Sequence, residues 1–491
     1  AGRGDDQLSG GTGADRMFGE EGNDDLLGEA GDDYLDGGDD ADTLTGGSGN
    51  DVVIAGKGDD VIKAGLAGEE ARASTAPSSD GNDTYSGGEG HDVYDVRSAR
   101  KAITADLSQG TATGEEIGSD RLTEIEGVLA GSGNDTLTGN DEANLLSGGE
   151  GNDVLCGLDG DDSISGGKGD DVVVVRGRTG DDDGDDDYCG DDGFDTLDLA
   201  ALVQEVIADL EAQLAEGQEI GRDTIIGFEA VIGGAGHDRL SGNSADNILV
   251  GGDGNDRLSG RDGDDVLTGG DGNDTVSGDD GDDIVLAAVH AADEDRDGRG
   301  DGDDSYKGGD GFDTYSAAGA VHAVIIDLDR GTATGVDIGA DTLDGFEAAI
   351  GGSGADMLIA GNGLNFLAGG DGADVFVFRS LAALENDGDG RDEIRDFAVG
   401  DRIDFSEIAA GIGGLVFGGD DSGGPQAAPN RIVLYHENFE GGDRTIVKAI
   451  IDFDRDEDFE ILLYGRHELT EQDFILAARE PGQDGVTPHQ G

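Results

Sequence analysis

Aspartate recurs at every ninth residue at the start of this chain: Asp6, Asp15, Asp24, Asp33, Asp42, Asp51 and Asp60. Two places after each stands an apolar side chain: Leu8, Met17, Leu26, Leu35, Leu44, Val53 and Ile62. Gly4, Gly13, Gly22, Gly31, Gly49 and Gly58 stand two places before their aspartates. The run breaks in the repeat ending on Asp42, where the small residue is Ala41, one place nearer. The unit reads G-G-x-G-x-D-x-U-x, with U apolar. Carboxylates at fixed spacing are hard oxygen donors, so the chemistry on offer is cation binding. Calcium takes six to eight oxygens at about 2.3–2.6 Å, carboxylates and backbone carbonyls among them.

The spacing also dictates the scaffold. Six residues rich in Gly and Asp read as a turn, because Gly reaches positive φ at little cost and Asp tolerates tight bends. Three residues, such as Val52-Val53-Ile54, read as a short strand whose middle side chain faces inward. Two units complete one circuit of a coil, and the U residues fill a thin apolar centre. Stacking then sets carboxylates in rows about 4.8 Å apart, where like charges repel. A divalent cation between them removes the repulsion. Neighbours on one edge are two repeats apart, so Asp6 pairs with Asp24 and Asp15 with Asp33. Composition alone suggests a disordered acidic linker. Yet all 27 units in the chain carry an apolar or aromatic residue at U, which disorder does not require.

The remaining units are centred on Asp83 and Asp92; Asp135, Asn144, Asp153, Asp162 and Asp171; Asp186 and Asp195; Asp238, Asn247, Asp256, Asp265, Asp274 and Asp283; Asp304 and Asp313; and Asp356, Asn365 and Asp374. With the first seven, these are the candidate calcium ligands. Asn144, Asn247 and Asn365 offer an oxygen without charge, so those turns should be weaker or differently built. Pairing units two apart within each run gives about 13 sites as a lower bound.

Three gaps of 43 residues separate the runs: Asp92 to Asp135, Asp195 to Asp238 and Asp313 to Asp356. The same residues recur inside them. Ile103-x-x-Asp106-Leu107 matches Val206-x-x-Asp209-Leu210 and Val324-x-x-Asp327-Leu328. Ile117-Gly118-x-Asp120-x-Leu122 matches Ile220-Gly221-x-Asp223-x-Ile225 and Ile338-Gly339-x-Asp341-x-Leu343, and Glu126, Glu229 and Glu347 align. Period-two alternation predicts irregular extra strands continuing the stack. In the second copy, Leu202–Leu214 also suits a helix.

From about Val375 glycine thins out and aromatics rise: Phe376, Phe378, Phe397, Phe405, Phe417, Phe453, Phe459 and Phe474. This predicts a small β domain covering the end of the roll, which would otherwise expose unpaired strand edges. The fold class is all-β: a parallel β-roll or β-helix with a C-terminal β-rich capping domain. The divisions expected are a first roll at 1–63, a linker at 64–79, modules at 80–176, 177–292 and 293–375, and the capping segment at 376–491.

Acidic residues number 113 against 30 basic ones, for a net charge of −83. A polyanion this strong is repelled by nucleic acid and by anionic membrane surfaces. No apolar run is long enough to span a bilayer. Cys156 and Cys189 lack the spacing of a zinc site, and a disulfide between them stays open. No signal-peptide pattern opens the chain, and Ala1 falls on the first position of a repeat. The chain is read as the C-terminal part of a longer one.

The nonapeptide ladder resembles the RTX, or hemolysin-type calcium-binding, proteins that Gram-negative bacteria export by type I secretion. The stretch Asp374-Val375-Phe376-Val377-Phe378, through Ile394-x-Asp396-Phe397-x-x-Gly400-Asp401-x-Ile403-Asp404-Phe405, to Asp473-Phe474-Ile475-Leu476 resembles the C-terminal domain of serralysin-type proteins. The resemblance implies multiple Ca2+ ions, an uncleaved secretion signal near the C terminus read by the type I apparatus, and a secreted, extracellular protein.

Catalytic patterns are wanting. His436-Glu437 and His467-Glu468 lack the second His of H-E-x-x-H, and no G-x-S-x-G occurs. Asp421-Ser422-Gly423-Gly424-Pro425 resembles a protease nucleophile loop without the scaffold. Arg3-Gly4-Asp5 and Arg299-Gly300-Asp301 spell an adhesion tripeptide that a Gly/Asp-rich chain produces by chance. Asp452-x-Asp454-x-Asp456 reads as a solvated acidic turn, with cation binding as the alternative. Asp293-x-Asp295-x-Asp297-Gly298, with Asp304 at the twelfth place, opens like an EF-hand loop but lacks flanking helices, and a calcium-binding acidic loop is the other reading. The expectation is a non-enzymatic calcium-folded region. Two other readings stand beside it: the tail of a secreted metalloprotease, lipase or epimerase, and an adhesin-like protein with an extracellular surface or matrix partner.

Overall fold

The computed structural model describes residues 2–65, 80–177, 183–289, 301–381, 391–420, 430–439, 442–451 and 459–476. Most of the expected linker lies outside them, as do the EF-hand-like opening, the Asp421 and Asp452 stretches, Arg299-Gly300 and everything after Leu476. Two compact units, Ala1–Gly242 and Asn243–Gly491, make up the chain.

In the first unit, nonapeptides alternate between two parallel sheets. One takes Gln7–Thr12, Asp25–Ala30, Thr43–Ser48 and Val61–Lys63. The other takes Arg16–Glu21, Tyr34–Asp39, Val52–Lys57 and Thr84–Glu89. Strands two repeats apart are therefore neighbours, and one circuit of the parallel β-roll takes two repeats. Leu26, Leu35, Leu44, Val53 and Ile62 are fully buried between the sheets.

The strands are longer than three residues. Val52–Lys57 runs through U and on into the glycines. Its register pairs Leu35 with Val53 and Gly38 with Gly56 but skips Gly37 and Ala55. The pairing lapses at that skipped position and resumes after it, and only the last three residues of the hexapeptide make the turn. Gly31 and Gly49 sit in that turn at φ of 136° and 139°.

Each insert is an antiparallel meander spliced into a parallel sheet. Ile103–Asp106, Thr111–Gly114 and Gly118–Thr123 pair antiparallel. The last of them pairs in parallel with Thr84–Glu89 and the first with Thr136–Thr138. Val206–Asp209, Leu214–Gly217 and Gly221–Ile226 repeat the pattern, so the helix considered for Leu202–Leu214 is replaced by strands. β-Branched Val206 and Ile207 face neighbours on a pleated sheet, which outweighs the helix preference of the Ala/Glu/Gln segment.

The second unit is built the same way. Ile248–Asp253 pairs with Val266–Asp271, and Arg257–Asp262 with Thr275–Asp280. Its insert uses Val324–Asp327, Thr332–Gly335 and Gly339–Asp344. Beyond Val375 the stack continues: Phe366–Ala368 pairs with Asp392–Ile394, and Val375–Val377 with Arg402–Asp404. Arg431–Phe439 and Gly442–Ile450 form an antiparallel hairpin, with Phe459–Tyr464 beside it. Phe378, Phe405 and Phe459 form an aromatic core, with ring centroids 5.8 and 5.3 Å apart. A short α-helix, Ser406–Ile412, interrupts the strands and ends at Gly413 in a left-handed conformation.

Candidate metal centre

Each turn brings the ladder aspartates together along one edge. The Asp6 N–H donates to Asp24 Oδ1 at 2.7 Å, Asp24 to Asp42 at 2.7 Å, and Asp42 to Asp60 at 2.7 Å. On the other edge, Asp15 donates to Asp33 at 2.8 Å, Asp33 to Asp51 at 2.8 Å, and Asp51 to Asp83 at 2.7 Å. The same bond links Asp60 to Asp92, Asp135 to Asp153, Asn144 to Asp162, Asp153 to Asp171, Asp162 to Asp186 and Asp171 to Asp195. In the second unit it links Asn247 to Asp265, Asp256 to Asp274, Asp265 to Asp283, Asp274 to Asp304, Asp283 to Asp313 and Asp356 to Asp374. One carboxylate oxygen is thus fixed by backbone.

The other oxygen is left open. Oδ2 of Asp24, Asp33, Asp42, Asp51, Asp60, Asp153, Asp265 and Asp274 is buried with no hydrogen-bond partner. At Asp24, Asp33, Asp42, Asp153 and Asp265 it stands beside the backbone carbonyl of the skipped position. A Cβ placed on Gly19 would stand 2.3 Å from both Asp24 Oδ2 and the Gly37 carbonyl oxygen. On Gly28 it would stand 2.5 Å from Asp33 Oδ2 and 2.2 Å from the Gly46 oxygen. Gly251 and Gly260 show the same convergence in the second unit.

Buried carboxylate oxygens without donors are costly, and a cation is the missing partner. Among the described residues, no three His, Cys, Asp or Glu side chains gather as a metal cluster. The donor set here is carboxylate oxygen plus backbone carbonyl, which suits a hard ion such as calcium rather than zinc. The ladder residues would hold the ion, and the ion when bound supplies the positive charge the turns lack.

Without that charge, burial dominates the electrostatics. It pushes Asp42, Asp51 and Asp60 up to about 6, aided by neighbouring ladder carboxylates and opposed by the backbone hydrogen bond. Burial likewise takes Asp153, Asp162, Asp265 and Asp274 to about 7.

The structure adds members to the ladder. Asp120, Asp223 and Asp341 accept from Asp83, Asp186 and Asp304. Glu126, Glu229 and Glu347 accept from Asp92, Asp195 and Asp313 through their longer side chains. Asp392 accepts from Asn365 and Asp401 from Asp374. The signal was present: Gly118-Ser119-Asp120-Arg121-Leu122 is the G-x-D-x-U core without its leading glycines. A second, exposed ladder runs the other way, from Asn23 N–H to Asp5 Oδ1 at 3.1 Å and from Asn50 N–H to Asp32 Oδ1 at 2.9 Å. Its mark in the sequence is the Asn or Asp directly before the ladder aspartate.

Some ladder residues meet other partners. Tyr85, Tyr188 and Tyr306 donate to Oδ2 of Asp83, Asp186 and Asp304. Asp238 and Asp356 accept backbone N–H groups on both oxygens. Asn144 Oδ1 accepts from Asn140 N–H at 2.6 Å, and its amide donates to the Glu126 carbonyl at 3.1 Å. Asn247 accepts from Asn243 in the same way.

Cys156 and Cys189 lie in different sheets and both are free thiols. Burial and the neighbouring Asp191 carboxylate push Cys189 up to about 11. Among the described residues, no helix is long and apolar enough to cross a membrane.

Fold and turn together define a parallel β-roll of nonapeptide calcium-binding repeats. The RTX calcium-binding nonapeptide repeat family matches at residues 1–35, 36–66, 78–94, 129–164, 148–183, 226–258 and 250–285. The family described as Peptidase M10 serralysin C terminal matches residues 309–476. The chain is an RTX repeat protein with a serralysin-like C terminus. No curated protein matches it. Among solved structures it is similar to the solution structure of the AlgE6R2 subunit from the Azotobacter vinelandii mannuronan C5-epimerase. Identity is 22% over 42% of this chain and 95% of that one, with a TM-score of 0.22.

Proposed function

We propose that this chain is a binding and structural module: a secreted RTX region that stays unfolded during type I export and folds on extracellular calcium. It carries no reaction of its own. The observation that supports this is the row of buried, partnerless Asp Oδ2 atoms aimed at backbone carbonyls. With a net charge of −83, the metal-free chain repels itself and remains extended. The closed turn does not exist in the unfolded chain, so calcium binding becomes folding free energy. Extracellular modules bind calcium at about 10⁻⁴–10⁻³ M, which suits folding outside the cell.

Circular dichroism tests this at two pH values. Asp42 and Asp51 titrate at about 6, and Asp153 and Asp274 at about 7, in the metal-free fold. An unfolded carboxylate titrates near ~4. Folded values raised above unfolded ones stabilise the fold fully below pH ~4, and that stability is lost as pH rises through about 6–7. The calcium-free chain at pH 8 is expected to lack strand signal and to gain it on acidification. Calcium at pH 8 should restore the signal with a midpoint of about 10⁻⁴–10⁻³ M. Equal strand signal at pH 8 in excess chelator and in calcium would refute the proposal.

A further inference from the structure

The ladder does not present an open oxygen everywhere. Asp83 accepts Asp51 N–H on Oδ1 at 2.7 Å and the Tyr85 hydroxyl on Oδ2 at 2.8 Å. Across the join to the first insert, Asp120 accepts Asp83 N–H at 2.9 Å and the Tyr94 hydroxyl at 2.7 Å. Both tyrosines are fully buried, with ring centroids 5.3 Å apart.

The third insert repeats this in another part of the chain. Asp304 accepts from Asp274 N–H and Tyr306, and Asp341 from Asp304 N–H and Tyr315. Those rings lie 5.6 Å apart. Where the second and third inserts end, backbone takes over, whereas Asp135 at the end of the first keeps an open Oδ2. Asp238 accepts Val206 N–H at 2.8 Å and Gly234 N–H at 2.9 Å. Asp356 accepts Val324 N–H at 2.9 Å and Gly352 N–H at 2.7 Å.

We infer that the inserts interrupt the calcium ladder at particular joins: tyrosine hydroxyls close Asp83, Asp120, Asp186, Asp304 and Asp341, and backbone amides close Asp238 and Asp356, where calcium closes the other coils. A donated hydrogen sets its partial positive charge against the oxygen that would face the ion, so donor and cation compete for one position. In the Gly-rich runs Oδ2 has no donor, and at Asp24, Asp33, Asp42 and Asp265 it stands beside a carbonyl; at Asp83, Asp120, Asp238, Asp304, Asp341 and Asp356 it has a donor. The repeat pattern marks Asp83, Asp186, Asp238, Asp304 and Asp356 as calcium ligands, and their hydrogen bonds reassign them. The middle insert shows what the device needs. Tyr188 serves Asp186, but Leu197 stands where the other inserts have Tyr94 and Tyr315, and Asp223 Oδ2 has no partner.

This inference rests on the calcium-binding reading, and metal analysis separates the two. The full chain is held in calcium above its folding midpoint, and its bound ions are counted by equilibrium dialysis. Asp120→Asn and Asp341→Asn are expected to keep the parent count. Asp33→Asn and Asp274→Asn, whose Oδ2 atoms are open, should each lose at least one ion. Loss of an ion from Asp120→Asn or Asp341→Asn overturns the inference alone. No loss from the Asp33 and Asp274 variants indicts the calcium reading itself. Should the Asp120 and Asp341 variants not fold, Tyr94→Phe decides. It should keep the ion count and melt about 2–4 °C lower; an unchanged melting point would show that the hydroxyl closes nothing.

Discussion

Replacing Asp42 with Asn is expected to remove one calcium ion and to change stability in opposite directions with and without calcium. Asp42 Oδ1 accepts Asp24 N–H at 2.7 Å, and an Asn oxygen keeps that bond. What changes is Oδ2, which is buried without a partner and approaches the Ala55 carbonyl across Gly37. An amide there would donate to the carbonyl, as the Asn144 amide does to Glu126. The metal-free coil then loses a buried charge between Asp24 and Asp60 and becomes less unstable. The loaded coil loses a ligand, and the affinity of that ion should fall by at least the ~10–100-fold that loss of an outer-shell partner costs. Each tenfold is worth about 1.4 kcal/mol, so unfolding at saturating calcium should show a loss of at least about 1.4–2.8 kcal/mol. Raising calcium should recover part of it. Equal stability in calcium would mean that Asp42 holds no ion.

Gly49→Ala should cost more, and calcium should not rescue it. Gly49 has φ of 139°, where L side chains are rarely found. A Cβ there would stand 2.0 Å from the Gly31 carbonyl oxygen and 2.5 Å from its carbon. Both are backbone atoms of the adjacent coil, which cannot give way without breaking the strand pairing. Strain and clash together should cost about 3–5 kcal/mol. Gly13 holds the same place in its repeat, at φ of 112°, with nothing within 4 Å of an added Cβ. Gly13→Ala therefore carries the strain without the clash, and the difference between the two variants in urea unfolding isolates the stacking contact. Equal losses would show that the coils do not pack this closely.

Much of this was legible in the residues. A period of nine with an inward apolar residue requires strands two repeats apart to be neighbours, and Tyr34 does pair with Val52. Aspartate pairs such as Asp6 and Asp24 follow from the same step. The strand length was not legible, because Gly-rich segments read as turn; the glycines continue the strand by register with other glycines, as Gly38 does with Gly56. The inserts betrayed their strands by alternation, but not their antiparallel path, which depends on the tight turns at Gly110 and Gly118, both at positive φ. Nor could spacing separate Asp83 from Asp33. The two differ only in whether a tyrosine two places on turns its hydroxyl back, and Tyr at U looks like any other core residue.

Crystals grown in millimolar calcium, with anomalous scattering recorded for the ion, address the ladder most directly. The expected result is calcium in the turns of Asp24, Asp33, Asp42 and Asp51, each ion between a carboxylate oxygen and the carbonyl of the skipped residue, and none beside Asp120 or Asp341. A fully assembled roll whose Asp24 to Asp51 turns hold no ion would contradict it.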